Sequence, residues 1–210
     1  MKILYEDNHL IAVYKPSGML SQGDKTGDRS LMDEIKDYLK EKYGKPGNVY
    51  LGLVHRLDRM VSGVMVFAKT SKAAARLCKQ IRERKFEKKY LALVEGEMQV
   101  GSQKQLVNFL KKNVKENKAQ VCEKPEKGAL EAILDYKVIK NNQGTSEIEV
   151  RLITGRFHQI RAQIAYVGHP IIGDVKYGAS RSEKDKSIKL FCKEIAFLHP
   201  ISNERIVIKI

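Results

Sequence analysis

The apolar run "SGVMVFAKT", residues 62–70, constrains the fold more than any other stretch of the sequence. It is too short for a buried helix, and an unbroken apolar run of this length is typical of a buried strand. The segment before it, "LVHRLDRM", places Asp58 between Arg56 and Arg59. These charges either decorate a turn or hold an acid in a positive pocket for chemistry.

Three further patterns predict helices. In "SLMDEIKDYLKEKYG", Ser30 is a candidate N-cap and Gly44 a C-terminal stop. "SKAAARLCKQIRERK" follows the buried strand, with Ser71 as its candidate N-cap and a basic outer face. "RFHQIRAQIAYVG" predicts a short helix that starts near Phe157.

The remaining apolar segments predict strands. "KILYEDNHLIAVYKPSG" reads as two short strands, "KKYLALVEGEM" as one, residues 130–155 as a hairpin around residues 141–144, and "IKLFCKEIAFLHP" and "RIVIKI" as the last two. Because strands and helices alternate without a strict βαβ repeat, we predict an α+β fold with a mixed, largely antiparallel sheet flanked by helices. We expect one domain over residues 1–210 and a mobile, lysine-rich excursion at residues 111–127.

The charge of the chain predicts a polyanionic partner. The formal net charge is +14 at pH 7, which favours nucleic acid over a membrane surface because no basic amphipathic helix with aromatic anchors is present. No apolar run approaches the roughly 20 residues of a membrane span. The N-terminal residues carry charges where a secretory signal is apolar. We therefore expect a cytoplasmic protein that does not bind membranes.

The three cysteines, Cys78, Cys122 and Cys192, lie far apart and lack CxxC spacing. This argues against both a disulfide framework and a zinc site and favours reduced, mostly buried thiols.

Asp58 is the first candidate for chemistry. A carboxylate beside two arginines stays ionised, since nearby cations favour the charged form. Such a group can act as a general base or a covalent nucleophile. No second acidic residue lies near it in sequence, which argues against a metal ligand. On these residues alone, a surface turn with salt bridges is an equally good interpretation.

A second constellation is "TGRFHQIRAQIAYVGHPIIGDVKYG", residues 154–178. On a helix, His158 and Arg161 lie three residues apart and share a face. Glycines and a proline constrain the backbone around them, which favours an arginine placed for a carboxylate or phosphate. The alternative is a packed helix with an ordinary ion pair.

A third candidate is Tyr90, which lies on a predicted strand next to Lys88 and Lys89. Its side chain either packs in the core or stacks on a base.

These motifs resemble those of the RluA family of pseudouridine synthases. "HRLDRMVSG" is similar to the family signature that carries the catalytic aspartate. "ILYEDNHLIAVYKPSGML", "KKYLALVEG" and "GRFHQIRAQIAYVGHPIIGDVKYG" resemble its Lys-Pro-x-Gly element, its tyrosine strand and its Arg-x-His-Gln-Ile-Arg helix with a Gly-Asp turn. The four motifs occur in the family's order and extend over essentially the whole chain.

The resemblance implies the isomerisation of uridine in RNA to pseudouridine, without a cofactor and without a metal. It implies that Asp58 is the nucleophile or charge-stabilising carboxylate, that Arg161 pairs with Asp58, and that Tyr90 stacks on the target base and serves as a proton acceptor. Arg56 would fill the gap left by a flipped nucleotide. Further contacts with RNA or the base are implied for His55, His158, Ile172, Lys88 and Lys89.

Two positions depart from the family pattern. Val61 stands where threonine is frequent, and Gln163 stands where histidine is frequent two residues after the helix arginine. Neither is assigned to catalysis, so these departures suggest a subfamily with a different substrate. Because the chain starts at the catalytic domain's first strand, we expect no N-terminal RNA-binding domain. We expect a monomer that recognises a compact rRNA or tRNA stem-loop.

Two other functions are consistent with parts of this pattern. An RNA-binding protein on the same fold without catalysis would tolerate Asp58→Asn. A hydrolase that uses Asp58 on a small substrate would need an activated water or a metal, and it would leave the basic charge without a use.

Overall fold

The computed structural model describes all residues, Met1–Ile210. They group into two compact units, one formed by Met1–Phe86 and Cys192–Ile210 and the other by Glu87–Phe191. The single domain over residues 1–210 stays a prediction.

The elements in chain order are β1 (Lys2–Glu6), β2 (Leu10–Lys15), α1 (Leu31–Lys42), β3 (Gly52–Leu53), β4 (Ser62–Ala68), α2 (Ser71–Arg82), β5 (Glu87–Glu95), β6 (Gln103–Asn113), β7 (Lys118–Cys122), β8 (Leu130–Asn142), β9 (Thr145–Leu152), α3 (Gln159–Tyr166), a 3₁₀ turn (Val175–Tyr177), β10 (Leu190–Leu198) and β11 (Arg205–Lys209).

The first unit is built on the sheet order β1–β2–β4–β10, with β3 beside β4 and β11 beside β10. The pairs β1–β2, β2–β4, β3–β4 and β10–β11 are antiparallel. Residues 64–68 of β4 have no exposed surface, which confirms the buried strand predicted from the apolar run.

Gly63 allows β4 to approach its neighbour closely. Its φ is +127°, and a Cβ built there would lie 2.3 Å from the carbonyl oxygen of Cys192 and 2.5 Å from its amide nitrogen. Only glycine fits, since any side chain would collide with the backbone of β10. This explains the Ser-Gly dipeptide directly after the Asp58 turn.

The first two helices follow the predicted capping chemistry, with one shift. Ser30 caps α1 in a reciprocal arrangement with Asp33, so the predicted N-cap is confirmed. Helix α2 is capped by Thr70, whose hydroxyl accepts from the amide of Ala73 at 3.2 Å. The predicted cap at Ser71 is wrong by one residue, because Ser71 already has helical geometry.

The second unit is an antiparallel sheet in the order β5–β9–β8–β6–β7. The predicted hairpin around residues 141–144 is confirmed as the β8–β9 connection. Gln143 and Gly144 have φ values of 45° and 78°, as the tight turns of hairpins require. Strand β5 alternates strictly between more and less buried residues, so one of its faces is covered.

Residues 111–127 form part of a hairpin rather than an irregular excursion. They contribute the end of β6, the turn and β7, with five residue pairs from Phe109–Cys122 to Asn113–Lys118. The mobility of this lysine-rich segment stays a prediction, and Leu110 and Ala119 of the hairpin are buried. Both belong to the core cluster that also contains Ala162 of α3 and Tyr177.

Helix α3 packs on β6 and β7. It begins at Gln159 rather than Phe157, and Gln163 fastens it to the sheet by donating to the Asn108 side chain at 2.8 Å and the Ala132 carbonyl at 3.1 Å. None of the helices has the length and apolar character needed to span a membrane. The predicted α+β class, with a predominantly antiparallel arrangement of strands, is confirmed.

Candidate active site

Asp58 lies in the segment between β3 and β4, which we call the Asp58 loop (residues 54–61). The loop is extended up to Asp58 and then turns tightly, since the amide of Val61 donates to the Asp58 carbonyl at 3.0 Å. Asp58 is half-buried and Arg56 is exposed. The Asp58 carboxylate thus lies half-buried four residues before the buried strand β4.

The Asp58 loop is held by residues 15–21, which are the last residue of β2 and the segment that follows it. The Ser21 hydroxyl donates to the Leu57 carbonyl at 2.7 Å and accepts from the Leu57 amide at 3.2 Å. The Ser17 hydroxyl donates to the Met60 carbonyl at 2.9 Å. The amide of Gly18 donates to the Arg59 carbonyl at 2.8 Å. Residues on both sides of Asp58 are therefore fixed by hydrogen bonds, which limits the motion of its backbone.

Lys15 completes this clamp from inside the unit. Its side chain has no exposed surface, and its ammonium donates to the carbonyls of Pro16, Met19 and Arg59 at 3.0, 2.7 and 3.1 Å. Burial lowers the pKa of Lys15 to about 8, while the Asp58 carboxylate favours the charged amine. Lys15 is thus a cation near Asp58 that the sequence interpretation did not identify.

Arg59 has partners that the sequence did not reveal. Its Nε donates to the Gly18 carbonyl at 2.9 Å, and its Nη1 lies 2.8 Å from Oδ2 of Asp28. This guanidinium ties the polar loop of residues 22–29 to the residue after Asp58.

His55 supports β4 from the start of the Asp58 loop. Its Nε2 accepts a hydrogen bond from the amide of Val66 at 3.0 Å, and its ring lies 5.5 Å from the ring of Phe86. The Nε2 lone pair is therefore used by the backbone, and a contact between His55 and RNA stays a prediction.

In the second unit, Arg161 forms a buried, bidentate ion pair with Asp174. Nε donates to Oδ2 at 2.6 Å and Nη2 donates to Oδ1 at 2.8 Å, and the two side chains are only 8% and 2% exposed. The guanidinium also lies over the ring of Tyr177, at 5.0 Å from its centroid. The ion pair and the ring contact together fix the orientation of the Arg161 guanidinium within the second unit.

His158 precedes α3 in a left-handed conformation, with φ of 50°. Its ring stacks on Phe157 at 3.8 Å, and its Nδ1 lies 2.9 Å from the hydroxyl of Tyr177. Burial, reinforced by the charge of Arg161, lowers the pKa of His158 to about 3. His158 is therefore neutral at pH 7 and cannot attract a phosphate through charge.

Strand β5 places Tyr90 and the neighbouring lysines on two faces. Lys88 and Tyr90 lie on the covered face, with exposures of 9% and 5%, and Lys89 lies on the opposite face of the strand. Tyr90 pairs in register with Val150 of β9. The two lysines therefore lie on opposite faces of β5, and their contact with RNA beside Tyr90 stays a prediction.

Ile172 fixes the turn that leads to Asp174. Its amide donates to the Leu93 carbonyl of β5 at 2.9 Å, and its carbonyl accepts from the amide of Lys189 at 2.9 Å. Its side chain is half-buried, as a residue that packs against a base would be.

The structure thus places His55, Arg56 and Asp58 in the first unit and Tyr90, His158, Arg161 and Ile172 in the second. The supporting residues Lys15, Ser21, Asp174 and Tyr177 were not identified from sequence as site residues. Lys15 and Asp174 lie in the Lys-Pro-Ser-Gly and Gly-Asp motifs, and these motifs are the sequence signal that indicates them. Cys78, Cys122 and Cys192 form no disulfide, and no group of three or more His, Cys, Asp or Glu side chains has an arrangement that could hold a metal ion.

Comparison with known proteins agrees with these motifs. The family model described as RNA pseudouridylate synthase matches residues 9–166. The ribosomal large subunit pseudouridine synthase C of Buchnera aphidicola subsp. Schizaphis graminum is 33% identical over 97% of this chain, which spans 64% of that protein. The tRNA pseudouridine synthase C of Pasteurella multocida is 34% identical over 99% of this chain and 90% of its own length.

A solved human structure, RNA pseudouridylate synthase domain containing 4, has the same fold. It superposes with a TM-score of 0.80 over 100% of this chain and 87% of its own length, at 22% identity. The sequence matches and the shared fold lead to one conclusion: this chain belongs to the RNA pseudouridylate synthase family.

Proposed function

We propose that this protein is an RNA pseudouridine synthase that isomerises specific uridines in a structured rRNA or tRNA. The observation that carries the proposal is the family match over residues 9–166, a segment that contains Asp58, Tyr90 and Arg161. The names of the relatives, which include a ribosomal and a tRNA synthase, support these two RNA classes.

The reaction rearranges bonds without a net change in composition. The bond between N1 of uracil and C1′ of ribose breaks, the base turns, and a bond forms between C5 and C1′ while the C5 proton leaves and N1 gains one. We assign Asp58 as the carboxylate that acts as nucleophile or stabilises the developing positive charge on the sugar. The clamped backbone of the Asp58 loop supports this role, because a carboxylate with a fixed backbone needs little reorganisation during the reaction.

The other assigned residues bind and orient. We propose that Arg161 pairs with Asp58 and that Tyr90 stacks on the target base and accepts the C5 proton. Arg56, whose side chain is exposed, would fill the space of the flipped nucleotide. Ile172 packs against the base, and His55, His158, Lys88 and Lys89 contribute contacts with RNA. Both units would belong to one catalytic domain, and the protein would act as a monomer.

Helix α2 supports an RNA partner on the outside of the first unit. Its residues Ser71–Arg82 include four basic side chains and no acidic one. The Lys79 side chain is 69% exposed. An exposed basic helix of this kind binds phosphates through charge, and such contacts weaken with salt.

The proposal is tested with purified protein and RNA labelled with [5-³H]uridine in cells that lack this gene. Formation of pseudouridine releases tritium from C5, so the wild type should release it and Asp58→Asn should not. Asp37→Asn is the matched control, because Asp37 only pairs with exposed Arg29 on the surface. RNA binding without tritium release by the wild type would instead support an RNA-binding protein without catalysis. Tritium release by Asp58→Asn at the wild-type rate would show that Asp58 is not the catalytic carboxylate.

A further inference from the structure

The bidentate pair between Arg161 and Asp174 fixes the position of the Arg161 guanidinium in the second unit. Both carboxylate oxygens accept a short hydrogen bond, at 2.6 and 2.8 Å. Because guanidinium is planar and rigid, holding Nε and Nη2 also fixes the direction in which its other N–H bonds point.

Tyr177 holds the same guanidinium from its face. The ring centroid lies 5.0 Å from Cζ of Arg161, a distance typical of a cation–π contact. The Tyr177 hydroxyl accepts from the Ala119 amide at 2.7 Å and contacts Nδ1 of His158 at 2.9 Å. The ring is therefore locked by β7 and by the residue before α3, and it cannot rotate away from Arg161 without breaking these bonds.

Asp174 is itself held by the backbone. Gly173 has φ of +86°, and a Cβ built there would lie 2.5 Å from the Ser187 carbonyl oxygen. The Asp174 amide donates to the Ile171 carbonyl at 2.9 Å, and its carbonyl accepts from the amide of Tyr177 at 2.9 Å. The carboxylate is thus presented to Arg161 by a turn that only glycine permits.

We infer that Asp174 is a positioning residue of the proposed isomerase: it aims the Arg161 guanidinium, and through it the charge that acts on the reacting centre. The inference rests on the proposed function of Arg161. Asp174 does not contact RNA in this account. Its removal should therefore change the rate of the chemical step far more than the binding of RNA.

The first test separates these two quantities. Asp174→Asn should lower kcat about 100-fold, the cost expected when a catalytic group shifts by about 1 Å, and leave KM for RNA nearly unchanged. Asp135→Asn is the matched control, because Asp135 also pairs with an arginine of the same unit: Nε and Nη2 of Arg151 both donate to its Oδ2, at 2.9 and 2.6 Å, and the Arg151 side chain is 59% exposed. That variant should keep the wild-type kcat. A folded Asp174→Asn protein with normal kcat overturns the inference.

The second test does not depend on a buried, unpaired arginine, which can prevent folding. Millimolar guanidinium chloride should restore part of the activity of Arg161→Ala, because Asp174 captures the free cation in the vacated space. The double variant Arg161→Ala/Asp174→Asn lacks both buried charges and should not be rescued. Equal rescue of the two proteins would show that Asp174 does not place the guanidinium.

The proposed role of Arg161 and the positioning role of Asp174 can be refuted separately. If Arg161→Ala has the wild-type kcat, the proposed role of Arg161 is wrong and Asp174 has nothing to position. If Arg161→Ala is inactive while folded Asp174→Asn is fully active, the proposed function survives and only the positioning role is wrong.

Discussion

Replacing Lys15 with methionine tests whether a buried cation holds the Asp58 loop. Methionine has nearly the same length as lysine, but it cannot donate to the carbonyls of Pro16, Met19 and Arg59. Leaving a buried acceptor without its donor costs about 1–3 kcal/mol. Methionine also removes the cost of burying an ammonium group, so the two effects oppose each other at neutral pH.

The pH dependence separates the two effects. Lys15 has an ordinary pKa of 10.5 in the unfolded chain and a pKa of about 8 in the fold. Between these values the unfolded state binds more protons than the native state, so native stability rises with pH. A tenfold change in proton affinity corresponds to about 1.4 kcal/mol. The free energy of unfolding therefore increases by about 3 kcal/mol over the whole pH range in which Lys15 titrates, and by about 2 kcal/mol of this between pH 8 and pH 10.

The assay is urea unfolding of the wild type and Lys15→Met at pH 7, 8, 9 and 10. The free energy of unfolding of the wild type, minus that of Lys15→Met, should increase by about 2 kcal/mol from pH 8 to pH 10. Lys40→Met, at an exposed position of α1, should show no such divergence. A difference between wild type and Lys15→Met that stays flat or narrows over this range refutes the reasoning.

Three further predictions follow from single contacts. Gly63→Ala should lower the free energy of unfolding by about 3 kcal/mol or more, measured by urea unfolding, because its Cβ collides with the Cys192 backbone. Glu6→Gln should cost about 2 kcal/mol at pH 7, since Glu6 accepts from the ammonium groups of Lys42 and Lys69 at 2.8 and 2.9 Å. Burial raises the pKa of Glu6, but the hydrogen bonds from Lys42, Lys69, Tyr43 and Tyr38 outweigh it and lower the pKa to about 2, so this difference should vanish as pH falls from about 5 to about 2 in acid unfolding. Lys79→Ala should reduce the salt slope of RNA affinity in filter binding by about 0.7 if it contacts one phosphate.

Each of these has a contradicting result. Gly101 also has a positive φ, of 81°, but nothing lies near its added Cβ, so Gly101→Ala should cost only about 1 kcal/mol. An equal loss in the two glycine variants would disprove the collision at Gly63. A Glu6→Gln difference that persists at pH 2 would contradict the charge argument, and an unchanged salt slope would remove Lys79 from the RNA contacts.

Elements with a local chemical signal were predictable from sequence. The Ser30 cap needs only a hydroxyl and Asp33 three residues later, and the β8–β9 turn needs only residues that tolerate positive φ. Strand β4 was predictable because residues 64–68 are covered on both faces, so all five are apolar.

Strands β6 and β7 could not be predicted in this way. Of the eleven residues of β6, only Leu110 is buried, so the strand has no alternating apolar face. Its pairing with β8 and β7 comes from backbone hydrogen bonds that carry no sequence signature.

In the candidate site, too, some residues are predictable from local sequence and others depend on the fold. The side chains proposed for catalysis, Asp58, Tyr90 and Arg161, are predictable from their motifs. Their supports are not, because the bonds from Lys15 to the Arg59 carbonyl and from Asp174 to Arg161 join positions whose proximity depends on the fold. The sequence motifs therefore predict the candidate side chains, and the structure shows the hydrogen bonds that hold the residues around them.

The central claim, that Asp58 carries out uridine isomerisation in RNA, is tested most directly in cells. Pseudouridine is mapped across ribosomal and transfer RNA by carbodiimide adducts and primer extension, in cells without this gene and in cells restored with the wild type or with Asp58→Asn. The account predicts that one or a few sites vanish with the gene and return only with the wild type. Sites that return with Asp58→Asn, or a map that is identical in all cells, would contradict it.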